Sequence, residues 1–144
     1  LAEKKVLKKC YTWGLGEPGA LGNSKKESTA CPFNVPVKEP IVAVGSGGHT
    51  SMIVTEKGEV YGMGSNKKGR LGLGSNEDTI AIPTKVPSVK NIVKVSCGNW
   101  HNLILDSSGT VYGAGYNKHG ELGLESPFDH LKFVQIIQDI QSIS

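Results

Sequence analysis

Short runs of β-branched and aromatic residues recur along the chain, and each predicts a strand. Ile92-Val-Lys-Val95 is one such run, His101-Asn-Leu-Ile-Leu105 a second and Thr110-Val-Tyr112 a third. Runs of this length and composition fit a pleated, half-buried surface. Asp106-Ser-Ser-Gly109 separates the last two and predicts a hairpin turn, with Gly109 suited to positive φ. The same order occurs earlier: Ile41-Val-Ala-Val44, Ser51-Met-Ile-Val54, Thr55-Glu-Lys-Gly58, Glu59-Val-Tyr61. Gly58 and Gly109 stand 109 − 58 = 51 residues apart, so the hairpin belongs to a repeat. A weaker fourth run lies near Val35 and Val86. No stretch has helical period. The pattern predicts an all-β chain with four antiparallel strands per unit.

The repeat is sharpest just after the third run. Tyr11-Thr-Trp-Gly14-Leu-Gly-Glu-Pro-Gly19-Ala-Leu21-Gly22 is followed by Tyr61-Gly-Met-Gly64-Ser-Asn-Lys-Lys-Gly69-Arg-Leu71-Gly72. A third copy reads Tyr112-Gly-Ala-Gly115-Tyr-Asn-Lys-His-Gly120-Glu-Leu122-Gly123. The offsets are 61 − 11 = 50 and 112 − 61 = 51, with twelve positions matched and no gap. Four strands in a period near 50 residues describe a propeller blade. The 144 residues hold 144/51, or about 2.8, units. Divided on the tyrosine phase, residues 1–9 form a linker or terminal strand, 10–60 and 61–111 two units, and 112–144 part of a third. Ile143-Ser144 stands at the place of Val95-Ser96, so the phase leads us to expect a stretch of a longer chain. Its open blade edges would then be prone to association.

One spelling invites a nucleotide. Gly14-Leu-Gly16-Glu-Pro-Gly19 follows a strand and reads G-x-G-x-x-G, but no helix pattern follows it. Gly16 aligns instead with Asn66 and Asn117. Glycine and asparagine tolerate the left-handed region best, so all three are expected to share a positive φ.

Composition adds less. Lys+Arg minus Asp+Glu is 16 − 13 = +3, too mild to argue for nucleic acid or chromatin. Lys4, Lys5, Lys8 and Lys9 form a basic run whose ordinary role is to keep a terminal segment solvated. Nothing approaches the ~18 apolar residues of a membrane span. Three cysteines without a Cys-x-x-Cys pair argue against a disulfide framework and for a reducing compartment, cytoplasm or nucleus. Cys10 stands where Val60 and Val111 stand and is expected to pack as a small hydrophobe.

With strands, turns and glycines placed, the chain resembles the regulator of chromosome condensation repeat family. The resemblance rests on Val95-Ser-Cys97-Gly98-Asn-Trp-His101, Leu103-Ile-Leu105, Gly109-Thr-Val-Tyr112-Gly-Ala-Gly115 and Gly120-Glu-Leu122-Gly123. It extends over residues 9 to 144 and implies a seven-bladed propeller, with about four further blades beyond this stretch. The copies are uneven: Thr50 takes the place of His101, and the third copy has no counterpart to Pro32 and Pro83. Kelch repeats share the period and are the structural alternative, but Gly47-Gly48 is the one glycine doublet of that kind.

The resemblance implies a non-enzymatic platform for protein partners, with guanine-nucleotide exchange on a small GTPase as the alternative. Within the repeated loops, Gly14, Gly64, Gly115, Gly19, Gly69, Gly120, Leu21, Leu71, Leu122, Gly22, Gly72 and Gly123 are expected to be structural. Lys67, Lys68, Arg70, Lys118, His119 and Glu121 vary between copies and are the candidate contact residues. His101 is expected to bond a neighbouring blade's backbone. His49, His101, His119 and His130 have no metal-ligand spacing, and no nucleophile comes with a base, so neither catalytic residue, metal nor cofactor is expected. Ultraviolet-B photoreceptors of plants share the implied fold, but their Gly-Trp-Arg-His-Thr pattern is shifted here to Gly98-Asn-Trp100-His101-Asn102.

Overall fold

The computed structural model describes residues 8–25 and 27–144. Lys4 and Lys5 of the basic run lie outside them. Among the described residues ten strands follow in order: β1 (Tyr11–Gly14), β2 (Thr29–Asn34), β3 (Ile41–Gly47), β4 (Thr50–Thr55), β5 (Val60–Ser65), β6 (Thr79–Lys85), β7 (Ile92–Cys97), β8 (His101–Asp106), β9 (Val111–Gly115) and β10 (His130–Ile137). One 3-10 turn among the described residues, Lys67–Gly69, interrupts them. The strands form two four-stranded sheets, β3-β4-β5-β6 and β7-β8-β9-β10, and a two-stranded sheet, β1-β2. Every pairing within these sheets is antiparallel.

The alternation that predicted the strands also decides what they bury. Met52 and Val54 of β4, Val60 of β5, Ile92 and Val95 of β7 and Ile104 of β8 meet with Leu71, Ile80 and Val86 in one cluster between the two large sheets. Val35, Ile41, Ile53 and Met63 form the matching cluster toward β1-β2, with Cys10 packed against it. Burying each such side chain contributes roughly 1.5–3 kcal/mol. The large sheets approach through their first strands, since β3 and β4 both pack on β7. Strands β3 and β7 are therefore the inner strands and β6 and β10 the outer ones.

Tyr11, Tyr61 and Tyr112 sit in β1, β5 and β9, the third strand of each unit. Gly64 pairs with Thr50 and Ile80, and Gly115 with His101 and His130, so the copies share their register. The hairpin turns close as expected, by Gly58 N–H to Thr55 O at 2.9 Å and Gly109 N–H to Asp106 O at 3.1 Å. Their glycines have φ of +76° and +87°. The fourth strands end just before Val35 and Val86, whose N–H groups still bond Cys10 O and Val60 O. The twelve-residue match sets the period, whereas hydrogen bonding sets the phase: the sheets span residues 41–85 and 92–137. A division at 60/61 falls inside β5.

A candidate interaction surface at the blade joints

The loop after each third strand is held by an asparagine side chain. Asn66 Oδ1 accepts from Leu71 N–H at 3.2 Å, and its Nδ2 donates to Ser75 O and Glu77 O at 3.2 and 2.9 Å. Asn117 repeats this with Leu122 N–H, Leu124 O and Ser126 O. Both are buried. This corrects the expectation of a shared positive φ. Asn66 has φ −109°, and neither Asn117 nor Gly16 has a positive φ. Gly16 is glycine for a different reason, because a Cβ there would stand 1.8 Å from Glu27 O. The first loop runs its backbone through the space that the asparagine fills in the other two.

These loops reach the next sheet. Ser51 Oγ donates to Ala20 O at 2.9 Å, and Asn102 Nδ2 to Arg70 O at 2.9 Å. Ser24 N–H bonds Ala81 O and Gly74 N–H bonds Leu131 O, so each loop also ties to the following outer strand. Gly64 and Gly115 receive the loop: a Cβ on Gly115 would lie 2.5 Å from Trp100 O and 3.1 Å from Arg70 Cα. Leu21, Leu71 and Leu122 are buried beneath their loops. His101 does not make the inter-sheet bond expected of it. Its ring lies over Gly98, with Cε1 2.7 Å from where a Cβ would be, and it makes no side-chain hydrogen bond among the described residues. The next position, Asn102, makes that bond. The polar pair Ser51/Asn102 inside two apolar strands was the sequence signal for it.

The six candidate contact residues divide. Arg70 departs from the expectation: it is 2% exposed. Its Nε donates to Lys67 O at 2.9 Å, and Nη1 to Gly48 O and Asn99 O at 2.6 and 2.7 Å. It thereby ties the β3–β4 tip to the β7–β8 tip, and Trp100 lies over it, ring centroid 4.3 Å from Cζ. Burial pulls its pKa down. Lys67, Lys68, Lys118 and His119 are exposed and Glu121 is half-buried. Lys68, at φ +66°, pairs with Asp129 across the joint at 3.5 Å, and Asp129 Oδ1 accepts from Asn117 N–H. The two loops are thus brought side by side. His119 packs edge-on against Tyr116, and its N–H donates to Glu121 Oε2 at 3.0 Å. Sequence reasoning placed Asn99 and Trp100 in the family motif but assigned them no contact, because the partner of a loop tip lies outside the motif.

Among the described residues no group of three His, Cys, Asp or Glu side chains is placed to hold a metal, and no helix is long and apolar enough to cross a membrane. The three cysteines are free thiols. Burial pushes the Cys97 thiol up to about 12, against the opposing effect of a hydrogen bond from Thr50.

Models of the regulator of chromosome condensation (RCC1) repeat match residues 9–54 and 57–105, and a second model of the same repeat matches 41–70 and 92–121. The chain belongs to the RCC1 repeat family. The kelch alternative falls with that match. Protein RCC2 homolog of Danio rerio is 34% identical over 121 residues, covering 82% of this chain and 24% of the relative. E3 ubiquitin-protein ligase HERC2 of Homo sapiens is 32% identical over 137 residues, covering 91% of this chain and 3% of that protein. The crystal structure of Prp20p from Saccharomyces cerevisiae superposes with a TM-score of 0.81 at 21% identity, covering 91% of this chain and 34% of that one. The fold is that of RCC1-type propellers, all-β with four-stranded antiparallel blades. This chain spans about a quarter of the length of its RCC2 relative.

Proposed function

We propose that the chain is a stretch of a non-enzymatic RCC1-repeat propeller that binds protein partners through the rim carrying Lys67, Lys118 and His119. The remaining blades of the propeller are its constant neighbours. The observation behind this reading is the pair of loops joined through Lys68 and Asp129. Leu71, Leu122, Gly69 and Gly72 are committed to the joint or to the packing beneath it, while Lys67 and Lys118 face solvent. Such charges act mainly on encounter rate and on choice of partner. A small GTPase is the partner class to test first, because Prp20p is described by its binding properties to Gsp1p and histones. The ligase in the name of HERC2 belongs to a protein of which this chain spans 3%.

The test is charge reversal at Lys67 and Lys118 in the full-length protein; Lys68 is left alone because Asp129 holds it. Partner capture should fall, more at low salt than at high, with the melting temperature unchanged. Equal capture by both proteins would sink the rim assignment. Nucleotide release from a panel of small GTPases, with and without the full-length protein, measures the exchange activity directly.

A further inference from the structure

Arg70 is a buried cation without a counter-ion. Three of its hydrogen bonds go to backbone carbonyls, and no carboxylate pairs with it among the described residues. Its Nη2 makes no hydrogen bond among those residues. Nη2 keeps a narrow solvent contact, since the side-chain atoms both fully buried and unpaired are Asn102 Oδ1 and His130 Nε2, although Arg70 as a whole is 2% exposed. A buried charge satisfied only by carbonyl dipoles gains strongly from an anion brought to its free edge, because the local dielectric is low.

The surroundings favour that anion. Trp100 covers one face of the guanidinium yet is 46% exposed. Its carbonyl accepts from Tyr116 N–H at 2.9 Å, so the tip that carries it is tied to the start of the Lys118 loop and, through Arg70, to the Lys67 loop. Both lysines are exposed and form no ion pair among the described residues. Of the acids of this rim, Asp78 and Asp129 immediately precede the outer strands β6 and β10, Asp129 is held by Lys68, and Glu121 Oε2 accepts from the backbone N–H of His119. The tips carrying Asn99 and Trp100 join inner strands instead. The equivalent joint one unit earlier has Ala20 and His49 at these places.

We infer that Arg70 and Trp100 form the floor of a recognition site for an acidic peptide segment of a protein partner. A partner Asp or Glu carboxylate accepts from Arg70 Nη2, an apolar neighbour of that residue lies on the Trp100 ring, and Lys67 and Lys118 draw the segment in. This rests on the rim reading above and makes it specific to one joint. The indole stacks on the guanidinium without a partner present, which lowers the conformational freedom to be lost on binding. Exposed tryptophan beside arginine is also the composition of binding hot spots.

The test uses the full-length protein and two fluorescein-labelled peptides, Gly-Asp-Glu-Leu-Asp-Glu-Gly and its Asn/Gln counterpart, read by anisotropy. The acidic peptide should bind about tenfold or more tighter than the amide one, and Trp100→Ala should abolish about tenfold or more of that affinity. Trp100→Ala tests the site without touching the carbonyl bonds of Arg70, and its melting temperature should match wild type. Arg70→Lys keeps the charge, loses the fork and should fall with it, whereas Lys57→Gln on the opposite face should leave binding as it was. The proposal is overturned by equal binding of the two peptides, by a smaller effect of Trp100→Ala, or by equal loss in Lys57→Gln. Partner capture that fails on reversing Lys67 and Lys118 yet survives Trp100→Ala would keep the rim reading and reject this site.

Discussion

The two joints of the molecule use the same backbone and different plugs. In both, a loop carbonyl at equivalent positions, Ala20 or Arg70, accepts from a strand side chain of the next unit, Ser51 or Asn102. In both, a glycine of the receiving strand makes room for the loop, Gly64 or Gly115. The side chain at the shared position then differs. Ala20 ends at a methyl group and offers the neighbouring tip no side-chain hydrogen bond. Arg70 threads its guanidinium between Gly48 O and Asn99 O and orders Trp100 above it. The repeat thus fixes what the joint needs, a carbonyl, a donor and a missing Cβ, and leaves one side chain per joint free for chemistry. That is how units of one fold acquire different surfaces.

The largest expected effect tests the missing Cβ. Gly115 has φ +108°, and a Cβ on it would collide with Trp100 O and His101 Cα. Gly120, with φ +79°, has nothing within 4 Å. Gly115→Ala adds overpacking to left-handed strain and should cost about 3 kcal/mol or more, whereas Gly120→Ala should cost only the strain, about 1–2 kcal/mol. Urea unfolding of the two variants checks the order. Equal losses would mean that the glycines are selected for backbone angle alone.

Next comes the loop staple. If Asn66 served a left-handed backbone, Asn66→Gly would be neutral or stabilising. Its side chain instead holds Leu71 N–H, Ser75 O and Glu77 O in a buried site. Removing it leaves those groups unpaired and should cost about 2–3 kcal/mol. A midpoint unchanged in urea would restore the backbone explanation.

Arg70→Ala converts the second joint into a copy of the first. Three carbonyl bonds are lost, but a buried charge is relieved and water can reach the tips, so the cost should be about 1–2 kcal/mol. Acrylamide quenching of Trp100 should rise at the same time. Unchanged quenching would mean that Trp100 is ordered by Tyr116 and not by the guanidinium.

These substitutions also mark what the sequence made legible. Strands, hairpins and period were readable because alternation and turn glycines are local signals, and Tyr11, Tyr61 and Tyr112 fall in equivalent strands. The structural glycines and leucines were readable because they recur. Arg70 was misplaced because variation between copies was taken for exposure, although a joint can vary its plug while keeping its backbone. Asn66 was assigned a backbone role because its partners lie up to eleven residues away in an irregular loop. Trp100 was read as part of the family motif and not as a contact, because its role depends on a residue thirty positions earlier, which only the register of neighbouring sheets brings beside it.

The smallest expected effect lies at the hairpins, where the two units again differ by one side chain. Thr55 Oγ1 accepts from Glu59 N–H, and Asp106 Oδ1 accepts from the N–H groups of Ser108 and Thr110 and from Ser108 Oγ. Burial of Asp106 opposes its ionisation, but these bonds, with that from Tyr112 Oη, outweigh it and hold the carboxyl below its usual range. A carboxylate whose pKa is lower folded than unfolded adds stability above the unfolded value, and that stability is lost as pH falls through the folded one. The wild-type chain should therefore lose a little stability below about pH 4 that Asp106→Thr does not lose. At pH 7 the two proteins should melt within a degree or two, since the turn is solvent-exposed and threonine can still accept from the same N–H groups. Thermal melts at pH 7 and pH 3 supply the comparison. Parallel pH profiles would show that the carboxylate bonds in the turn are no stronger folded than unfolded, leaving the second hairpin energetically equivalent to the first.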